Sequence, residues 1–178
     1  MNLRNLWLVG VAVTLCACAS SQNKEEVDDT PRLAAQDPNI EAVERQNYKL
    51  SKQSVTQMYK SMKLPSINYD FDSIRPPEYA YPILDKVVTL MKEKENIHLI
   101  LEGNSDILGS DEYNYWLSGS RAAALKSYLV SRGVQADRIR IHAYGNTRPI
   151  TLDNSPEGRR LNRRVDMKLT TREWKAIY

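Results

Sequence analysis

The chain has 178 residues, 42% of them hydrophobic and 26% charged, with a formal net charge of +3. That length allows one ordinary domain with accessory segments. That charge is small and both signs are dispersed, so no nucleic-acid footprint is implied.

The first segment is no part of a fold. Arg4 lies just ahead of an apolar run, LWLVGVAVTL (6–15), which suits a secretory signal and is too short for a bilayer span of about 20 residues. LCAC (15–18) follows, and a small residue directly before a cysteine at this place resembles the bacterial lipobox. The resemblance implies cleavage after residue 17 and acylation of Cys18, since Ala17 precedes it and Leu15 sits three residues back. Ala19 favours the outer membrane by resemblance to lipoprotein sorting. Several acyl chains, each worth about 0.8 kcal/mol per buried CH₂, make a stable anchor. Residues 18–39 then comprise that cysteine and a polar tether with Pro31 and Pro38, spanning roughly 25 Å as a coil.

Residues 40–64 read as a helical segment, with Val55, Met58, Tyr59 and Met62 at i, i+3, i+4, i+7 and Pro65 as the stop. Ile67, Tyr69 and Phe71 alternate as a strand. Ala80, Ile83, Leu84, Val87, Leu90 and Met91 make one helical stripe, begun late because Pro82 fits only a first turn. Ile97, Leu99 and Leu101 alternate as a second strand. A long helix runs from Ser110 to Arg132, with Asp111 and Glu112 at its positive end and Gly133 as its stop. Ile139, Ile141 and Ala143 give a third strand, Ser155-Pro156-Glu157 opens a short helix, and Val165, Met167 and Leu169 give the last strand. The fold class is α+β: a two-layer sandwich, β-α-β-α-β-α-β, with helices on one face of a mixed four-stranded sheet. The domain spans 65–170, and residues 171–178 form a tail.

EGNSDILGS (102–110) raises the functional question, because Asp106 stands where a strand stops and an ordinary turn needs no acid. On the helix that follows, Asn114, Ser118 and Arg121 fall at i, i+4, i+7 and form one polar stripe bordered by Leu117. An acid and an arginine near each other suit a group carrying both an ammonium and a carboxylate, such as the terminal D-centre of diaminopimelate. A structural Asp106–Arg121 pair closing the corner fits the same residues, and spacing alone leaves both readings open.

YDFDS (69–73), LEGNSDILGS (101–110), YNYWLSGSRAAALKSYLVSRGV (113–134), IRIHAYG (139–145) and SPEGRRLNRRVDM (155–167) resemble, in order and spacing, the OmpA-like peptidoglycan-binding domain. The resemblance covers roughly residues 66–170. It implies non-covalent binding of stem-peptide diaminopimelate without catalysis or cofactor. Asp106 then meets the ligand ammonium and Arg121 the carboxylate. Asn114 and Leu117 flank them, Asp70 stands at the rim, and Arg163 and Arg164 close the pocket from the last strand. Asn104 and Ser105 stand where the family prefers His and Thr. The overall reading is a lipid-anchored outer-membrane lipoprotein holding peptidoglycan. A Tol-type or other envelope protein is a further partner class that the sequence does not select.

An enzyme is the rival class. His98 and His142, the only histidines, lie mid-strand. The chain carries no HExxH, GxSxG or phosphate loop, and Asp70 with Asp72 lacks an opposed acid for glycan hydrolysis. Trp116, at helical spacing, reads as core or pocket wall.

Overall fold

The structure is a computed structural model and describes residues 38–171. The signal segment, Cys18, most of the tether and nearly all of the tail lie outside the described residues. Among the described residues, five helices and four strands follow in the order α1 (Pro38–Ser51), α2 (Val55–Ser61), β1 (Ile67–Asn68), α3 (Ala80–Glu93), β2 (His98–Gly103), α4 (Asp111–Ser131), β3 (Ile139–Ala143), α5 (Pro156–Asn162) and β4 (Arg164–Thr170), with a 3₁₀ turn at Ala136–Arg138. From β1 onward this is the alternation read from the sequence.

The sheet order is β1-β4-β2-β3, with β2 parallel to β3 and antiparallel to β4, so the sheet is mixed. Leu99 lies between Ile139 and Leu169, and Leu101 between Ile141 and Met167. Side chains alternate across a strand, so these residues share the face on which α3 and α4 pack. Leu84, Val87, Leu90 and Met91 from α3 and Leu125 and Leu129 from α4 meet them in one buried core. The helix N-termini follow local chemistry. Ser110 Oγ accepts from the Tyr113 N–H and Ser155 Oγ from the Gly158 N–H, at 3.2 and 3.1 Å. Gly133, at φ +92°, ends α4 in a conformation that favours glycine.

Two local expectations are corrected. The 40–64 segment is two helices, because Ser54 adopts an extended backbone and starts α2 with a capping box: the Gln57 N–H donates to Ser54 Oγ, and the Ser54 N–H to Gln57 Oε1. The 55–62 stripe therefore describes α2 and its C-terminal cap alone. Helix α1 is held separately, by burial of Ile40 and Leu50, by an ion pair of Glu44 with Arg160 on α5, and by Lys86 Nζ donating to the Ser51 and Gln53 carbonyls. Phe71 is the second correction. β1 ends at Asn68, Tyr69 stays buried, and residues 70–73 turn, with the Ser73 N–H on the Asp70 carbonyl and Asp72 at φ 57°. Phe71 rides on that turn, 65% exposed.

One glycine sets how closely the layers meet where the site forms. A Cβ on Gly103 would lie 2.0 Å from the Ser118 carbonyl oxygen. Only glycine lets the end of β2 approach the middle of α4 so nearly.

Candidate functional site

The polypeptide leaves β2 under backbone control. The Asn104 N–H donates to the Arg164 carbonyl and the Ser105 N–H to the Gly145 carbonyl, both at 2.8 Å. These bonds deliver Asp106 to the corner with only 4% of its surface exposed. Asp106 Oδ1 accepts the Leu108 N–H at 3.0 Å, an Asx turn that folds the loop back on itself. Asn114 Nδ2 donates to the Leu108 carbonyl at 3.1 Å and latches the loop onto the first turns of α4.

A pocket of about 110 Å³ opens at this corner. Asp106, Asn114, Leu117, Arg121 and Arg163 line it, so five of the seven predicted binding residues come together. Arg163 reaches in from the junction of α5 and β4. Its Nη1 donates to Asp106 Oδ2 at 2.9 Å and its Nε to the Tyr69 carbonyl at 3.0 Å. Arg121 is fully buried. Its Nε donates to the Ser73 carbonyl at 2.8 Å, Nη2 to Asp70 at 3.2 Å and Nη1 to Asn104 at 3.4 Å, while the guanidinium lies over the Tyr69 ring. Burial pushes the Arg121 guanidinium down to about 10, with Arg163's charge adding to the shift and Tyr69 and Asp106 opposing it. It stays charged at neutral pH, so the pocket holds two cations and one buried acid.

The Asp106–Arg121 pair that was the structural alternative does not form. Three nitrogens of Arg121 bond three backbone carbonyls, and the second oxygen of Asp106 is taken by Arg163. Asp70 and Arg164 are the two predicted residues outside the pocket. The Asp70 side chain is exposed, and the residue serves through its carbonyl on Arg121. Arg164 follows Arg163 along the chain and so points to the opposite face of the sheet. There its Nε pairs with Asp166 at 3.0 Å and its Nη2 donates to the Arg148 carbonyl.

The remaining wall is Phe71, Asp72, Ser105, Leu108, Gly109 and Tyr113. Tyr113 was legible, since Tyr113, Leu117 and Arg121 fall at i, i+4, i+8 on the face that the polar stripe defined. Its hydroxyl donates to Asp72 Oδ1, and that bond raises its pKa. Asp72 had no periodic signal, because a turn carries it there. Ser105 is buried with its hydroxyl unpartnered, as is Asn104 Oδ1. Asn104 Nδ2 donates to the Glu102 carbonyl and to Asp166 Oδ2, so that side chain belongs to the outer face of the sheet. Trp116 is neither core nor pocket wall, being 55% exposed beside the mouth.

Residues 68–163 match the model of the OmpA family. Outer membrane protein A of Bordetella avium is 36% identical over 101 residues, covering 57% of this chain and 52% of that one. The peptidoglycan-associated lipoprotein of Pseudomonas putida is 35% identical over 100 residues, covering 56% and 58%. The chain thus spans little more than half the length of these two relatives. Among solved structures, the peptidoglycan-associated lipoprotein from Burkholderia pseudomallei superposes with a TM-score of 0.58 at 28% identity, covering 59% of this chain and 89% of that one.

Proposed function

Because the chain belongs to the OmpA family, we propose that it binds peptidoglycan non-covalently through the Asp106 pocket and so ties the outer membrane to the cell wall. The observation that carries this reading is the buried acid paired with Arg163 in a small pocket that the buried Arg121 also lines. A buried charge is retained when it is paired, and this arrangement pairs it while leaving capacity for more. The ligand is the D-centre of stem-peptide diaminopimelate. Its ammonium donates to Asp106, and its carboxylate accepts from Arg163 and from guanidinium N–H groups of Arg121 that the three carbonyls do not use. Ser105 supplies a buried hydroxyl for one further bond.

Binding rather than catalysis is the function, and the membrane end is acylated Cys18 in the outer membrane, followed by the 18–39 tether. The name of the Pseudomonas putida relative, a peptidoglycan-associated lipoprotein, supports both ends of this reading. A few charge-assisted bonds of roughly 1.5–3 kcal/mol each make one site modest. Many anchored copies on one sacculus supply the strength by multivalency. The test of ligand chemistry is competition of the full-length protein off sacculi by soluble stem peptides. Diaminopimelate stems should displace it. Stems with lysine at that position lack the second carboxylate and should not. Equal displacement by both would contradict the ligand assignment.

A further inference from the structure

Beside the pocket mouth the surface is unexpectedly apolar. Phe71 is 65% exposed, Trp116 55%, Ile107 47%, Leu108 44% and Tyr113 41%. Contiguous exposed apolar groups at the rim of a polar pocket mark a contact surface. The Tyr113 and Trp116 rings sit one turn apart on α4 with centroids 5.7 Å apart and planes inclined at 30°, forming a single tilted shelf. Tyr113 belongs to both regions, since its ring lines the pocket while its hydroxyl bonds Asp72 at the rim. The shelf is therefore continuous with the site, and whatever leaves the pocket mouth on this side passes over it.

We propose that the Tyr113–Trp116 shelf is a saccharide subsite that takes a sugar ring of the glycan to which the bound stem peptide is attached. This rests on the reading of the pocket as a stem-peptide site. The stem is joined to an amino-sugar chain two residues before its diamino acid. A sugar is thus the nearest rigid part of the ligand outside the pocket. The C–H face of a pyranose is apolar and its rim is hydroxylated. Exposed aromatic rings, with a negative face and large apolar area, suit that face. Polar groups at the edge suit the rim, and here the Asp72 carboxylate and the Tyr113 hydroxyl stand at that edge. A protein partner would ask for a larger apolar area than this small rim patch offers.

The test compares two soluble ligands on the full-length chain in detergent, by calorimetry: a diaminopimelate tripeptide stem alone, and the same stem carrying its disaccharide. The wild type should bind the disaccharide form about two- to tenfold tighter. Trp116→Ala should bind the bare stem unchanged and lose the preference for the disaccharide. Trp116→Phe should keep most of it. Equal affinity of the wild type for the two ligands would overturn the subsite, as would a preference that survives Trp116→Ala. Wild type that binds neither ligand would overturn the pocket reading itself, and the subsite with it.

Discussion

Asp106 is paired with Arg163, 2.9 Å away across the pocket, with side chains 5% and 11% exposed. Removing one partner of a buried pair strands the other charge and costs about 3 kcal/mol or more. Asp106→Asn and Arg163→Met should each destabilise the protein by about that amount. The double variant should lose less than the sum of the two, because neither charge is then left alone. Urea denaturation of all four proteins measures the coupling. Strict additivity would mean that the two side chains do not interact.

Arg121 does two things at once. Its guanidinium ties the 70–73 turn to the end of β2 through the Ser73, Asp70 and Asn104 carbonyls. Lysine carries the same charge but a single compact ammonium, which cannot reach three divergent acceptors. Arg121→Lys should therefore lower the unfolding free energy by about 3 kcal/mol or more, read by urea denaturation, and weaken peptidoglycan binding as well. A lysine variant as stable as the wild type would contradict this tie. For the same reason Arg121→Ala does not report on ligand contact alone.

Much of this was legible in the sequence. Period-2 patterns pointed to the four strands and period-3.6 patterns to α3 and α4, because those elements bury one face against one core, while α5 was read from its cap and first-turn proline. The acid at 106 stood out for a physical reason, since a turn needs no buried charge. What escaped depends on long-range partners or on turns. The resemblance named Arg163 as closing the pocket, but its pairing with Asp106 spans 57 residues, and no local spacing could select that pair over Asp106–Arg121. Phe71 continued the alternation of Ile67 and Tyr69 but falls on a turn, where alternation has no meaning. The break before α2 did have a signature, Ser54 followed by Gln57 three residues on, which the apolar stripe obscured.

Gly103 fixes the distance between sheet and helix at the site. A methyl group there meets the Ser118 carbonyl at 2.0 Å, and neither backbone can yield cheaply. Gly103→Ala should destabilise by about 3 kcal/mol, at the upper end for overpacking, with thermal or urea unfolding as the measurement. Stability near that of the wild type would show that α4 shifts freely against β2.

Asp153 braces the N-terminal cap of α5, the helix whose far end leads into Arg163. Its carboxylate accepts the Ser155 N–H at 2.8 Å and the Ser155 hydroxyl at 2.6 Å, and these bonds hold its pKa below the ordinary 3.8. A carboxyl with a depressed folded-state pKa stabilises the fold above the unfolded value and loses that contribution as pH falls through the lower, folded value. Asp153→Asn should be less stable than the wild type at pH 7, and the gap should shrink below pH 3.8. Denaturation curves at pH 7 and pH 2.5 check the sign. A gap that widens on acidification would contradict it.

Peptidoglycan binding, as proposed, depends on the Asp106 carboxylate. Asp106→Asn keeps the side chain's size and an oxygen for the Leu108 N–H while removing the charge that a ligand ammonium needs. The decisive measurement is co-sedimentation of the full-length protein with diaminopimelate-type sacculi, wild type beside Asp106→Asn, with circular dichroism to verify that the variant is folded. The wild type should pellet with the sacculi and the folded variant should stay in the supernatant. A folded variant that pellets as fully as the wild type would contradict that dependence.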